Sequence, residues 1–111
     1  MSRFSFPDTS PALFKSMYGL ATAIVENGKV PAVLRDLIEC RVSQINQCSF
    51  CLRMHAKSFA EHGGDAAKLT MLPVWRAADG LDDAERAALD WAECLTRIES
   101  QERIAQSHRA L

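Results

Sequence analysis

Apolar residues recur at three- and four-residue steps along almost the whole chain, the spacing that places them on one face of an α-helix. The first such segment runs from Pro11 to about Glu26. Ser10 can cap this predicted helix, a proline suits its first turn, and Asn27-Gly28 ends it. Its repeating apolar positions are Leu13, Met17, Leu20 and Ile24.

The same spacing predicts two more helices in the middle of the chain. The second runs from near Pro31 to about Gln47, and the third from about Cys48 to Glu61. Gly63-Gly64 supplies the stop of the third helix, because glycine tolerates the backbone angles of a helix end. The stripe of the second helix is Leu34, Ile38, Val42 and Ile45, with Leu37 beside it. The inward positions of the third helix are Leu52, Ala56 and Phe59.

A short helix and then a long one are predicted in the remaining chain. Asp65 can cap the short helix, which runs through Leu69, and Pro73 interrupts the helical pattern beyond it. Asp82 or Asp83 opens the long helix. Its predicted buried face is Ala84, Ala88, Trp91, Leu95 and Ile98.

The apolar pattern changes at both ends of the chain. After Ile98 it loses register, so we expect a break near Ser100 and a separate or exposed helical tail over residues 99–111. Residues 1–9 are expected to form an N-terminal arm. With no predicted strand, repeat or linker, the sequence indicates one all-α domain over residues 1–111.

Charge and composition narrow the possible partners. Thirteen basic and fourteen acidic residues give a net charge of -1. The chain therefore has no excess of positive charge that would favour binding to nucleic acid or to an anionic membrane. No apolar run approaches the roughly 20 residues that span a bilayer. The N-terminal segment lacks the pattern of a signal peptide, so a cytoplasmic location is expected, where the four cysteines are unsuited to structural disulfides.

The chemistry of the chain concentrates in Cys48, Cys51 and His55. If Cys48 opens a helix, offsets of three and four residues place all three side chains on one face. Unpaired backbone N–H groups at a helix N-terminus favour a thiolate, and a nearby imidazole can carry the proton. Two thiols this close can also form a disulfide after one is oxidised. The pattern therefore predicts a redox-active dithiol.

Other interpretations of these residues remain open. The pair could be packed cysteines, or Cys48, Cys51 and His55 could bind zinc, although a structural zinc site usually has a fourth protein ligand. The isolated Cys40 and Cys94 are predicted to be packing residues. Met54 and Trp91 fit packing stripes and are predicted to be core residues.

The run from Arg41 to Cys51, followed by His55, resembles the signature of the AhpD-like alkylhydroperoxidases of the carboxymuconolactone decarboxylase superfamily. Supporting similarity continues through residues 72–76 and 83–93. The resemblance implies an all-α helical bundle, usually oligomeric, here in a short form that lacks the usual C-terminal helices. The implied partners are a peroxide substrate, an external thiol or dithiol reductant and further copies of the chain, with no cofactor and no metal.

The resemblance also implies roles for individual residues. Cys51 would attack the peroxide, Cys48 would resolve the product, and His55 would belong to the proton relay. The family usually places a glutamate twelve residues before the first cysteine, where this chain has Asp36, and Glu39 lies one turn further on. Either carboxylate could complete the relay. The family also often has glycine at the position of Gln47, and here Asn46 is expected to take the unusual backbone angles of that turn.

These observations give a first functional hypothesis and several alternatives. The first is a thiol-dependent peroxidase with a Cys-x-x-Cys centre and a His/carboxylate proton relay. The second is a non-catalytic or weakly catalytic redox-responsive thiol protein. Decarboxylation of a lactone acid ranks lower, because a decarboxylase has no need of two thiols, and the zinc site is the remaining alternative.

Overall fold

A computed structural model of the protein describes residues 5–98 and 100–111, and every regular element within these residues is helical. The predicted all-α fold class is confirmed. The α-helices are α1 (Phe6–Thr9), α2 (Pro11–Asn27), α3 (Ala32–Ile45), α4 (Ser49–Glu61), α5 (Ala66–Met71), α6 (Asp83–Thr96) and α7 (Gln101–Arg109), with a 3₁₀ helix at Leu72–Ala77. No helix of the described chain is both long and apolar enough to cross a membrane.

The chain divides into two compact units, residues 1–30 and residues 31–111. The sequence predicts a single domain over residues 1–111, and that stays a prediction. In the first unit the Phe6 ring of α1 meets the Phe14 ring of α2 edge-on at 5.6 Å. Ser10 takes the predicted cap position of α2, but its side chain makes no capping hydrogen bond. Residues 1–4 of the expected arm lie outside the described residues.

In the second unit the core forms where α3 packs against α4 and α6. Complete burial of a leucine or phenylalanine side chain contributes about 1.5–3 kcal/mol, so these contacts dominate the stability of this unit. The predicted packing roles of Cys40 and Cys94 and the inward position of Phe59 are confirmed, since all three are buried. The central cluster is Leu37, Cys40, Phe59, Leu72, Trp75 and Leu89.

Several helix ends follow the predicted signals. Asp65 caps α5 by accepting a hydrogen bond from the N–H of Ala67 at 3.0 Å. Asp82 and Glu85 form a reciprocal capping box at the start of α6. The predicted break near Ser100 is confirmed, because α6 ends at Thr96 and Ser100 caps α7. Gly64 is required at its position, since a Cβ there would collide with the Phe59 ring.

The predicted buried face of α6 is wrong. Ala84, Leu95 and Ile98 are exposed, and Ile98 retains 86% of its accessible surface. The face that packs inward carries Leu89, Ala92, Glu93 and Cys94 instead. The physical reason is the burial of Glu93. Apolar periodicity assigns a glutamate to the surface, but several hydrogen-bond donors hold this carboxylate inside the protein.

Glu93 is the buried carboxylate at the centre of this arrangement. Its Oε1 accepts hydrogen bonds from Trp75 Nε1 and Arg41 Nε, each at 2.8 Å, and Arg97 reaches Oε2 at 3.2 Å. Burial alone would raise the pKa of Glu93, but the hydrogen bonds from Trp75 and Arg41 and the nearby guanidinium charges lower it. The pKa of Asp90 is likewise lowered, because the hydrogen bonds it accepts, including those from Arg103 and Arg76, outweigh the effect of burial.

The variant Glu93→Gln is expected to lose about 2–3 kcal/mol of unfolding free energy near neutral pH, because Arg41 would be left without its charged partner.

The wild type should also lose stability in acid. The stabilisation from a lowered carboxyl pKa is complete when the pH is above the unfolded-state pKa, which is 4.5 for Glu93 and 3.8 for Asp90. It is lost as the pH falls through the lower folded-state pKa values. Denaturant unfolding at about pH 7 and about pH 3 measures both effects.

The variant should also show a smaller loss of stability on acidification than the wild type, because one of the two carboxyls no longer titrates. Glu61→Gln is the matched control, since Glu61 is exposed on α4. Equal stability of Glu93→Gln and Glu61→Gln near neutral pH would contradict the structural role of the Glu93 cluster.

Candidate active site

The junction between α3 and α4 places the first cysteine. The backbone N–H of Cys48 donates to the carbonyl of Ser43 at 3.0 Å, and the N–H of Gln47 donates to that of Gln44 at 3.1 Å. This pattern closes a helix around one residue in the left-handed conformation, and Gln47 takes it with φ 55°. The expectation that Asn46 takes the unusual angles is wrong, since its φ is -78°. A left-handed non-glycine residue costs roughly 1–2 kcal/mol.

Cys48 and Cys51 stand at the start of α4. Cys48 is the N-cap residue, and its Sγ accepts a hydrogen bond from the N–H of Cys51 at 3.3 Å. The two cysteines are joined in a disulfide, with their Cα atoms 5.3 Å apart. In the reduced protein the same N–H groups and the positive end of the helix dipole would stabilise a thiolate. The local geometry therefore suits a dithiol that opens and closes without moving the backbone far.

Access to this pair is available from one side. Cys48 lines a cavity of about 320 Å³ together with Ser43, Gln44, Gln47, Ser49 and Leu52. Both cysteines keep part of their surface exposed.

The sequence predicts that Met54 and Trp91 are core residues. Phe50 and Met54 flank Cys51 on α4 and are exposed, so the prediction that Met54 is a core residue is wrong. Trp91 is only half-buried, and its ring contacts that of His108 on α7.

His55 lies one turn after Cys51 on α4 and is held by Glu39 of α3. Its Nδ1 is 3.0 Å from Glu39 Oε2. This contact fixes which ring nitrogen faces the carboxylate, so the other nitrogen is left for proton exchange. Both side chains are partly buried, with exposed fractions of 21% for His55 and 37% for Glu39. The geometry thus brings together two of the residues predicted for the relay.

Asp36 has different partners from Glu39. Its carboxylate is almost fully buried, and its Oδ2 lies 2.5 Å from His62 Nδ1. Ser58 Oγ donates a further hydrogen bond to the same oxygen at 3.0 Å. Sequence reasoning missed these partners, although Ser58 and His62, spaced by four on α4, share the face that packs on α3. Since Ser58 contacts the carboxylate directly, the three residues do not form the serine–histidine–aspartate relay of a hydrolase.

The other two cysteines are unsuited to reaction. Burial raises the pKa of the Cys40 thiol to about 11, and the neighbouring charges of Asp36 and Glu39 contribute to the rise. Cys40 therefore stays a neutral thiol, which is a poor nucleophile. Cys94 is buried in α6. Within the described residues, the accessible thiol chemistry belongs to Cys48 and Cys51.

Comparisons with known proteins agree with the all-α fold and with the family resemblance. The model of the carboxymuconolactone decarboxylase family matches residues 11–93. The chain is 30% identical over 99 residues to YdfG of Bacillus subtilis, an uncharacterised protein; the match covers 89% of this chain and 67% of YdfG. It is 36% identical over 61 residues to YnjA of Escherichia coli, also uncharacterised, covering 55% of this chain and 34% of YnjA.

A solved structure gives the same result for the fold. ATU0492 of Agrobacterium tumefaciens, a protein of unknown function, superposes with a TM-score of 0.85 and 26% identity. The match covers all of this chain and 78% of that protein, which is provisionally described as the antioxidant defence protein AhpD. The similarity therefore extends over the helices that carry Cys48, Cys51 and His55.

Proposed function

Because this chain belongs to the carboxymuconolactone decarboxylase family, and to its AhpD-like members, we propose that it is a thiol-dependent peroxidase acting through Cys51 and Cys48. The observation that carries the proposal is the cysteine pair at the N-terminus of α4, with His55 one turn further on and held by Glu39. An antioxidant role is in keeping with the description of the Agrobacterium protein.

The proposed first step is attack by the Cys51 thiolate on the distal oxygen of a peroxide. The O–O bond breaks, Cys51 becomes a sulfenic acid, and the departing alkoxide takes a proton from His55. Glu39 keeps the His55 ring oriented through the contact at Nδ1. The assignment of the attack to Cys51 follows the family resemblance, and the partial exposure of both cysteines lets a substrate reach the pair.

In the proposed second step the Cys48 thiol attacks the Cys51 sulfenic acid. Water leaves and the disulfide forms, so that one peroxide is reduced to an alcohol and water while two thiols are oxidised. An external dithiol then returns two electrons to the disulfide. The proposed location is the cytoplasm, where thiol reductants of this class are available.

The experiment that tests this function is a single turnover with the pre-reduced protein. We expect one equivalent of hydrogen peroxide or of an alkyl hydroperoxide to be consumed per chain, with the Cys48–Cys51 disulfide as the product, identified by mass spectrometry of its peptides. Renewed consumption after addition of a dithiol completes the cycle. Protein that consumes no peroxide, or that oxidises Cys40 or Cys94 instead, contradicts the proposal.

A second candidate is a redox-responsive protein that forms the disulfide slowly and does not turn over. It is favoured by the position of Asp36, which stands where the family usually has a glutamate but is bound to His62 and Ser58. If Asp36 is needed for proton transfer, that pairing would hold it away from the reaction. Disulfide formation that takes many minutes under excess peroxide would support this candidate over the first.

We also propose that copies of the chain associate. The support comes from α2, whose apolar stripe is exposed, with more than half of each side chain accessible at Leu13, Met17, Leu20 and Ile24. An apolar stripe of this length is rarely left open on a soluble monomer. Sedimentation velocity would report a mass above that of one chain, and a strictly monomeric protein would contradict the proposal.

A further inference from the structure

Two carboxylate–imidazole pairs meet where α3 packs against α4. Glu39 faces His55, and Asp36 faces His62. Asp36 and Glu39 are three residues apart on α3, which places them one turn apart on the same side of the helix. One ligand atom each from Asp36, Glu39 and His55 lies within 4.8 Å of the other two.

We propose that Asp36, Glu39 and His55 bind a divalent transition-metal ion, with Zn²⁺ as the favoured ion. Two carboxylate oxygens and one imidazole nitrogen form a donor set that zinc accepts, whereas magnesium and calcium prefer oxygen ligands alone. Three protein ligands leave room for a water molecule in a fourth position. This set differs from the Cys48, Cys51 and His55 alternative because it contains no sulfur.

The distances suit such an ion after the three ligand atoms close around it. Four tetrahedral ligands bonded at about 2.1 Å to one metal lie about 3.4 Å apart, so a separation as wide as 4.8 Å must shrink by about 1.4 Å. Rotation of the Glu39 side chain can contribute to that closure, because this side chain is more than one-third exposed. Glu39 and His55, whose atoms are 3.0 Å apart, already lie at the spacing of adjacent ligands.

The surroundings of Asp36 resemble the support that metal-binding carboxylates receive. Both of its hydrogen-bond contacts, from Ser58 and His62, reach Oδ2. Such contacts orient a carboxylate and leave the second oxygen to face the ion. A buried carboxylate also needs a compensating positive charge, and a divalent cation would add to that charge at Asp36.

The site would regulate the redox centre, an inference that rests on the proposed peroxidase function. An ion bound to Glu39 and His55 occupies the groups that would otherwise orient and carry the proton. Zinc is therefore expected to inhibit peroxide reduction without binding to either thiol. Removal of the ion by a chelator should restore the activity.

The test uses calorimetric titration of Zn²⁺ into the untagged double variant Cys48→Ser/Cys51→Ser. We expect one ion per chain, and an affinity lower by at least about tenfold when Glu39→Gln or Asp36→Asn is added, since even the loss of a group that supports a ligand costs about 10–100-fold. Glu61→Gln is the matched control on exposed α4 surface and should bind like the parent. Circular dichroism checks that each variant stays helical, and Glu39→Gln remains decisive if buried Asp36→Asn does not fold.

Cobalt replaces zinc as a spectroscopic probe of the same ligands. Co²⁺ in the wild-type oxidised protein should give visible bands without the near-ultraviolet charge-transfer band of a cobalt–thiolate bond. The proposal would be overturned if the protein binds no metal ion, or if binding is lost in the Cys48→Ser/Cys51→Ser variant. It would also be overturned if Glu39→Gln and Glu61→Gln bind the ion with equal affinity. Zinc binding by a protein that consumes no peroxide would overturn only the peroxidase function, and peroxide reduction without zinc binding only the metal site.

Discussion

Replacing Cys51 by serine is expected to lower peroxide turnover by at least about 10³-fold, because the variant loses the thiolate that accepts the peroxide oxygen. Cys48→Ser should behave differently. It keeps Cys51 as the nucleophile, so it should consume one equivalent of peroxide and then stop as a sulfenic acid that no second thiol resolves. The two variants therefore separate the attacking sulfur from the resolving sulfur.

The measurement combines steady-state peroxide consumption, driven by a dithiol, with trapping of the sulfenic acid by dimedone and mass spectrometry. Cys94→Ala is the matched control, because Cys94 is a buried free cysteine of α6, and this variant should keep the wild-type turnover. A dimedone adduct on Cys48 in the Cys51→Ser variant, together with retained single turnover, would reverse the two roles. Retention of full turnover by both variants would contradict the dithiol mechanism.

The position of the cysteine pair could be predicted from the sequence because it depends on local chemistry. A helix that begins at Cys48 needs only the spacing of Cys51 and His55 to align three side chains, and the structure has Cys48 as the N-cap of α4. Capping by Asp65 and Asp82 is local in the same sense. In each case the hydrogen bond joins residues within one helical turn.

The α6 face and the turn at Gln47 could not be predicted in the same way. Glu93 is buried because donors from Arg41 and Trp75 reach it across the fold, and residues 52 and 18 positions away leave no periodic signal. Apolar spacing therefore assigned the wrong side of α6 to the core. At Gln47 the left-handed backbone is imposed by the short connection between α3 and α4, which overrides the preference of Asn46 for such angles.

The roles of Asp36 and Glu39 stayed open in the sequence because both lie on the same side of α3. A spacing of three residues cannot decide which carboxylate faces His55 on another helix. The structure pairs Glu39 with His55 and Asp36 with His62. The positions on α4 explain this division, because His62 lies nearly two turns beyond His55.

This division leads to the second large expected effect. Glu39→Gln should lower the rate of peroxide reduction by about 10²-fold, because it removes the negative charge that orients the His55 ring for proton transfer. Asp36→Asn should lower that rate only a few-fold, since an asparagine oxygen can still accept the Ser58 hydrogen bond. Stopped-flow measurement of the first turnover, with protein reduced beforehand and metal removed by a chelator, compares the two.

Glu61→Gln again serves as the control for a neutralised carboxylate on the same pair of helices, and it should keep the wild-type rate. The comparison is informative because the sequence resemblance implies an acid at Asp36, while Glu39 has the contact with His55. A hundredfold loss in Asp36→Asn with little change in Glu39→Gln would mean that sequence position, and not the observed pairing, identifies the relay acid. Equal losses would assign both carboxylates to one proton network, which their shared distance to His55 permits.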